Sequence, residues 1–323
     1  MRLRNTLVLF SAFILLGAYI YFFEVNKNLG ENGKRLLDFS EDEIEAIVLN
    51  YQDQKIRLNR LLSGKWVLTH PLQYPADESV IRLVLSALNT SQVKRVLEKN
   101  PSKKDLATFG LDKPYTRLLV TGKKGKALPA ILVGDKTPVG RSTYVKRENN
   151  PAVLLTSTLL RSSLEKKLYD FRDKGILQMD PEKVAKLKIQ NGKELLVLVR
   201  GEGEDWRIEA PKKGKAKPGA VTAYLTTLTR LRAKGFVDNE SGNLKKYGLK
   251  PPSLKISLEG KIAGTIGDLL IGENTSGEFY AKRAENPTVY TIDKISFAQV
   301  HKTAADFSAG EKSDRQPPGP AKE

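Results

Sequence analysis

Residues 144–151 read YVKRENNP, and residues 280–287 read YAKRAENP. A tyrosine, a Lys-Arg pair and an Asn-Pro pair stand in matching places. Proline fixes φ and donates no backbone hydrogen bond, so Asn-Pro after an alternating segment indicates a turn between two strands. The repeat therefore predicts one strand and turn that occur twice. The alternative is a doubled contact site for polyanions, formed by Lys146, Arg147, Lys282 and Arg283.

The repeated octapeptide belongs to a longer internal duplication. At an offset of 140 residues, the only two tryptophans align, Trp66 with Trp206. The offset becomes 138 where FGLDKP at 109–114 meets YGLKPP at 247–252, and 136 at the octapeptides. Two small slips in a colinear match are typical of loops that differ in length between copies. We therefore predict two tandem domains, 39–178 and 179–308.

The common pattern of the two copies predicts an α+β fold. Three short alternating segments are followed by an amphipathic helix that has Asp77 as its N-cap in the first copy. A linker and four more strand-like segments come next, and TLLRSSLEKKLYDFRD at 158–173 predicts a closing helix. Each domain is expected to be a twisted antiparallel sheet with about two helices. Trp66 and Trp206 are expected to face the cores rather than to form ligand platforms, and Gly110 and Gly248 to have positive φ.

The N-terminus predicts a membrane anchor. Residues 6–23 carry no charge over 18 positions, and a helix of that length spans roughly 27 Å, about the hydrocarbon thickness of a bilayer. Arg2 and Arg4 precede it, which predicts a cytoplasmic N-terminus at 1–5 and a single pass, with the rest of the chain outside the cytoplasmic membrane. A signal peptide cleaved near Gly17 or Ala18 is the alternative. Residues 24–38 are predicted as a juxtamembrane linker and 309–323 as a disordered tail.

The chain is basic, with a formal net charge of +17. The excess lies in the predicted domains, with 24 basic and 15 acidic residues over 39–178 and 22 and 16 over 179–308. Beside a membrane, such a body attracts anionic lipid or an acidic envelope polymer. Ordinary solubility charge is the competing interpretation, and no nucleic-acid partner is expected. The segment PKKGKAKPG at 211–219 is predicted to be a solvated loop, and it supplies four further candidate contacts: Lys212, Lys213, Lys215 and Lys217.

Motifs for catalysis and metal binding are absent from the sequence. There is no cysteine, so disulfides and thiol chemistry are excluded. The two histidines, His70 and His301, are predicted in a strand-end turn and in a helix, and they lack the spacing of a metal pair. We expect no cofactor, no metal and no enzymatic activity, while a hydrolase without a recognisable motif stays as a third alternative.

Several segments together resemble a known family. GKWVLTHPLQYPAD, DLATFGLDKP, ILVGDKTPVGRSTYVKREN and YDFRDKGIL are similar to the domain of unknown function 4340 family. The resemblance implies a membrane-attached bacterial envelope protein, encoded in many genomes beside an ABC-2-type permease, its ATPase and an auxiliary protein similar to a gliding-motility component. No catalytic or ligand-binding residues carry over from it. The second copy has IGENTSGEFY where the first has the longer VGDKTPVGRSTY, so two equivalent sites are not expected.

These observations predict a non-enzymatic, membrane-anchored extracytoplasmic accessory or scaffold protein of an ABC-type transport complex, whose partner is a permease or an auxiliary membrane protein. An envelope module that binds anionic lipid or polymer is the second interpretation.

Overall fold

The computed structural model describes residues 2–19, 31–202, 205–238, 242–261 and 264–309, with only the backbone for 2–9. The chain divides into two compact units, Met1–Asp173 and Lys174–Glu323. Each unit is built on a nine-stranded sheet in which every pair of neighbours is antiparallel. The mixed α/β class and the tandem arrangement are therefore confirmed.

The N-terminal segment forms helix α1, Arg2–Tyr19. Among the described residues, no helix has the length and apolar character that crossing a membrane requires. Residues 20–23 of the predicted anchor, 24–30 of the predicted linker and 310–323 of the predicted tail lie outside the described part of the chain. Near the end of the predicted linker, Leu36 and Leu37 are buried in the core of the first unit.

The first sheet has the order β4-β3-β2-β1-β6-β7-β8-β9-β5. Its strands are β1 Ile44–Tyr51, β2 Lys55–Arg60, β3 Trp66–His70, β4 Tyr74–Pro75, β5 Arg95–Glu98, β6 Thr116–Gly122, β7 Ile131–Lys136, β8 Ser142–Arg147 and β9 Val153–Ser157. Its helices are α2 Glu78–Thr90, α3 Lys103–Thr108, α4 Thr158–Leu164 and α5 Leu168–Phe171, with single 3-10 turns at Glu41–Glu43 and Lys123–Gly125.

The second sheet repeats that order as β13-β12-β11-β10-β15-β16-β17-β18-β14. Its strands are β10 Val184–Asn191, β11 Glu194–Arg200, β12 Trp206–Ala210, β13 Gly214–Lys215, β14 Gly235–Val237, β15 Leu254–Gly260, β16 Thr265–Glu273, β17 Phe279–Arg283 and β18 Val289–Ile292. Its helices are α6 Ala220–Thr229, α7 Lys294–Val300 and α8 Ala304–Phe307, with a 3-10 turn at Pro181–Lys183.

The register of the central strands shows that the two copies have the same fold. Leu49 pairs with Leu118 in the first sheet, and Ile189 pairs with Ile256 in the second. The partners differ by the sequence offsets of 140 and 138 residues that align the copies. The strand order and this shared register place equivalent side chains on equivalent faces, so the units can be compared position by position.

Alternation of apolar residues explains how each sheet buries one face. In β1, Ile44, Ile47 and Leu49 are fully buried, and they pack with helix α2. Helix α2 begins after Asp77, whose carboxylate accepts a hydrogen bond from the Ser79 amide at 3.1 Å, as predicted. The tryptophans are core residues, with Trp66 8% and Trp206 6% exposed.

The predicted Asn-Pro turn is confirmed in both units. The Asn150 side-chain oxygen accepts a hydrogen bond from the Ala152 amide at 2.9 Å, and Asn286 accepts one from Thr288 at 2.9 Å. These turns join β8 to β9 and β17 to β18. The structural explanation of the repeated octapeptide is therefore correct.

Three details of the predicted domains are wrong. The short strands β4, β5, β13 and β14 extend the sheets beyond the seven predicted strands. The closing helix is also two helices in the first unit, because the chain leaves the helical conformation after Leu164 and restarts at Lys167, whose amide donates to Asp170 at 2.7 Å. The predicted number of about two helices per domain is too low, since the described residues contain four helices in the first unit besides α1 and three in the second.

Candidate binding cleft in the second unit

A cleft of about 570 Å³ opens in the second unit, beside the β10–β11 hairpin. Its apolar lining consists of Ile189, Leu195, Leu196, Pro211, Ala304 and Ala305. Its polar lining consists of Asn191, Lys193, Glu194, Lys302 and Thr303. One wall is therefore the hairpin, and the other is the connection from α7 into α8.

Local hydrogen bonds hold the two walls in place. The Thr303 amide donates a hydrogen bond to the Asp306 carboxylate at 2.8 Å, and the Thr303 hydroxyl donates another at 3.0 Å. Thr303 is the N-cap of helix α8, so these bonds fix the start of that helix. The Thr303 amide and, to a lesser extent, its hydroxyl lower the pKa of Asp306. Asn191 then bridges the walls, because its side-chain amide donates to the Lys302 carbonyl at 3.1 Å.

The equivalent place in the first unit is filled by Tyr51. Tyr51 aligns with Asn191, and its hydroxyl donates to the carbonyl of Leu164, the last residue of α4, at 2.8 Å. Its ring meets that of Tyr115 edge-on, with centroids 5.8 Å apart. Burial is the main cause of the raised pKa of Tyr51. The tyrosine thus occupies volume that asparagine leaves open in the second unit.

The other wall also changes from large side chains to small ones. At the offset of 136 residues, Leu168 and Tyr169 of the first unit align with Ala304 and Ala305 of the second. Leu168 packs against the first core, whereas both alanines line the cleft. Three replacements of a large residue by a smaller one therefore coincide at one site.

Position 191 has no tyrosine hydroxyl to bond the helix-end carbonyl, and a tyrosine from another element supplies that donor. Tyr224 on α6 donates its hydroxyl to the carbonyl of Val300, the last residue of α7, at 2.7 Å. Val300 aligns with Leu164, and Tyr224 aligns with Val84. Each unit thus satisfies the same helix-end carbonyl with a tyrosine, but only the second does so without filling the cleft. Burial raises the pKa of Tyr224 as well.

A charged cluster in the first unit packs on Tyr115, the ring that Tyr51 contacts. Arg161 lies 3.4 Å from Glu165 and 3.5 Å from Asp135, and its guanidinium stacks 4.3 Å from the centroid of the Tyr115 ring. Lys136 contacts Glu165 at 2.8 Å, and this hydrogen bond is the main cause of the lowered pKa of Glu165.

The second unit has aromatic side chains in two of those places. Phe297 aligns with Arg161 and His301 with Glu165, and Phe297 stacks on Phe279 at 4.2 Å and lies 5.3 Å from His301. The arginine–carboxylate pair that braces the first unit is therefore not reproduced at these positions.

The family model for the domain of unknown function (DUF4340) matches residues 66–241 and, a second time, residues 206–311. The chain belongs to this family. Both matches begin at the aligned tryptophans, Trp66 and Trp206, which agrees with the duplication. No curated protein and no solved structure matches the chain.

In this member of the domain of unknown function 4340 family, two of the predicted contact residues make internal bonds, Arg147 to the segment before β1 and Lys282 to its own turn. The Arg147 guanidinium donates to the Leu36 carbonyl at 2.8 Å and contacts Glu31 at 2.9 Å. The Lys282 ammonium donates to the carbonyls of Arg283 at 2.9 Å and Asn286 at 2.5 Å, and its pKa is lowered by burial. Internal contacts therefore account for both cations.

The other two cations of the repeated octapeptides lie close to them in sequence. Arg283 stands 3.9 Å from Glu285, and Lys146 is half-buried on β8. The structure does not bring either of them to the cleft lining.

The basic segment is more ordered than the predicted loop, because Gly214 and Lys215 form the edge strand β13. Lys217 donates its amide to the Phe307 carbonyl at 2.7 Å and its ammonium to the Ala305 carbonyl at 3.3 Å. The segment begins at Pro211 and reaches Ala305, both of which line the cleft. The four exposed lysines, Lys212, Lys213, Lys215 and Lys217, thus belong to a segment that borders it.

The histidines lie apart from any metal-ligating group that the structure describes. His70 is the exposed last residue of β3, and His301 follows α7 as its C-cap instead of lying within the helix. Within the described ranges, no three His, Cys, Asp or Glu side chains are grouped as metal ligands.

Proposed function

We propose that the chain is a non-enzymatic, membrane-anchored accessory protein of an ABC-type transport complex, with its folded units outside the cytoplasmic membrane. The observation that carries the proposal is the pairing of a closed unit with an open one on a single chain. The closed first unit suits a scaffold, because Tyr51 occupies the place that Asn191 leaves open in the second unit. The open second unit offers a cleft for binding.

The apolar N-terminal segment supports the membrane part of the proposal. Residues 6–23 follow Arg2 and Arg4, a charge distribution that keeps the N-terminus in the cytoplasm. Tethering raises the effective concentration of the folded units for a neighbouring membrane protein, so a weak contact suffices for association. Membership of the family, with the permease neighbours that the resemblance implies, supports the choice of partner.

Topology is tested by a reporter fused after Glu323. An enzyme that is active only after export should be active in the fusion, and one that is active only in the cytoplasm should not. The opposite result would place the folded units in the cytoplasm and refute the proposed arrangement.

The partner is tested by purification in a mild detergent through a tag at the C-terminus. An ABC-type permease or its auxiliary protein should co-purify with the full chain. A matched control replaces residues 6–23 with an unrelated membrane-spanning helix. Retention of the permease by this control would assign the contact to the folded units, and its loss would assign it to the anchor. Recovery of the membrane-bound chain without any transport protein would contradict the proposal.

A further inference from the structure

We propose that the cleft of the second unit binds an anionic amphiphile, a molecule with one acyl chain and a carboxylate or phosphate head. The inference does not depend on the proposed transporter partner. It assigns the apolar part of the ligand to the cleft and the anionic part to the lysine segment that borders it.

The apolar lining provides the site for the acyl chain. Ile189 and Leu196 are buried at its base, whereas Leu195 at the hairpin is 45% exposed. Leu195 aligns with Lys55 of the first unit, so an apolar side chain replaces a charged one at this position. Exposed apolar surface beside a concave site is typical of ligand binding.

The size of the cleft agrees with a small ligand. Its volume of about 570 Å³ lies within the range of about 300–1,000 Å³ that small-molecule sites occupy. Ala304 and Ala305 line the cleft, whereas the first unit has leucine and tyrosine at those positions.

The charge beside the cleft favours an anionic head group. Residues 211–219 contain four lysines and no acidic residue, whereas the equivalent first-unit segment, 71–79, contains Asp77 and Glu78 and no basic residue. Lys193 likewise stands where the first unit has Asp53. The carboxylates nearby are Glu194, and Asp306, which lies 3.7 Å from Lys302. The basic segment therefore occurs in the copy that has the open cleft.

The test uses the full chain in nanodiscs of zwitterionic phosphatidylcholine, with dansyl-undecanoic acid as the fluorescent probe. Signal from empty nanodiscs is subtracted, because the probe also partitions into lipid. We expect saturable binding at one site per chain. A dansyl-alkylamine of similar length, which carries the opposite charge, should show no saturable binding. Equal binding of both probes, or no binding above empty nanodiscs, would overturn the proposal.

The first unit supplies the side chains that should close the cleft. The double variant Asn191→Tyr/Ala304→Leu introduces the first-unit residues and should weaken probe binding by about tenfold or more. Its thermal unfolding, followed by circular dichroism, shows whether the second unit still folds. If it does not, the single variant Ala305→Tyr, which adds bulk on the α8 wall and leaves Asn191 in place, should have the same effect. Unchanged affinity in a folded, filled variant would place the ligand elsewhere and refute the inference.

The contribution of charge is measured with a matched pair of variants. Lys213→Glu/Lys215→Glu changes two exposed lysines of the segment that borders the cleft and should weaken binding several-fold. Lys123→Glu/Lys126→Glu changes net charge equally on the first unit and should leave the affinity unchanged. Higher salt should weaken wild-type binding, because exposed charges are screened over about 8 Å at physiological salt. Equal effects of the two pairs would contradict a local head-group site.

Competitors distinguish the sources of the amphiphile. Displacement of the probe by lauric acid alone would indicate a free fatty acid, and displacement by lysophosphatidylglycerol alone would indicate a phospholipid product. Displacement by both would indicate the chemistry that they share, and each of these results supports the inference. Displacement by neither would overturn it.

Discussion

Replacing Tyr51 by asparagine should open the first unit at the site that is already open in the second. The change removes the edge-on contact with Tyr115, worth about 1 kcal/mol. It also removes one of two donors to the Leu164 carbonyl, which keeps the Lys166 amide at 2.8 Å, so this loss costs about 1 kcal/mol. With the cavity that the ring leaves, we expect a loss of about 2–4 kcal/mol in the free energy of unfolding.

The second unit indicates how this loss can be recovered. Val84→Tyr places a tyrosine where Tyr224 stands in the second unit, so its hydroxyl can reach the Leu164 carbonyl. In the wild-type background this ring competes with Tyr51 for one acceptor and overpacks the core, at a cost of about 1–3 kcal/mol. In Tyr51→Asn/Val84→Tyr, only one tyrosine is left to donate to the Leu164 carbonyl, so the two rings no longer compete. The double variant should therefore be more stable than the two separate losses imply, by about 1–3 kcal/mol.

The two tryptophans allow each unit to be followed separately. In a Trp206→Phe background, Trp66 fluorescence reports the first unit alone, because the chain has no other tryptophan. At urea slopes of about 1–3 kcal/mol/M, a loss of 3 kcal/mol lowers the midpoint by roughly 1–3 M. Additive losses in the double variant would show that the two tyrosine positions do not serve the same carbonyl, and the comparison of the units would fail.

Three further predictions follow from buried or bonded side chains. Trp206→Ala should lower the stability of the second unit by about 3–5 kcal/mol in urea unfolding followed by circular dichroism, whereas an exposed ligand-platform tryptophan would cost little. Asn150→Ala should cost the first unit about 1 kcal/mol through loss of the turn hydrogen bond at 2.9 Å, measured by Trp66 fluorescence. Burial raises the pKa of Tyr224, so the folded second unit retains a proton that the unfolded chain loses near pH 10. The stability of this unit should therefore fall as the pH rises above about 10. Tyr224→Phe should flatten that decline in alkaline unfolding curves.

Features set by local sequence could be predicted before the structure. The Asp77 cap, the Asn-Pro turns and the alternation that buries Ile47 and Leu49 depend on residues close together in the chain. Gly110 and Gly248 both have the expected positive φ, at 63°. Periodicity does not predict the strands β4 and β13, because two residues cannot show a period. It does not predict the break at Lys167 either, because apolar spacing alone does not reveal where a new helix cap begins.

The cleft depends on positions that are far apart in the sequence. Small residues on β10 and α8 line it, and Tyr224 on α6 donates to the helix-end carbonyl that Tyr51 bonds in the first unit. None of these residues carries a motif alone. The alignment of the copies contains the signal for the cleft, because Tyr51 aligns with Asn191 and Leu168 aligns with Ala304. It acquires meaning only when the fold shows that these replacements share one site.

The open cleft leaves one buried hydrogen-bond acceptor of Asn191 unsatisfied within the described ranges. Its side-chain oxygen is buried and accepts no hydrogen bond from the described residues, whereas its amide nitrogen bridges to Lys302. A buried acceptor without a donor costs about 1–3 kcal/mol, and Tyr51 in the first unit incurs no comparable cost. Departures from good packing and hydrogen bonding concentrate at functional sites, because there stability is not the only requirement. Since the same fold can fill this site in its first copy, the open and imperfectly bonded form in the second copy favours a binding role for that unit.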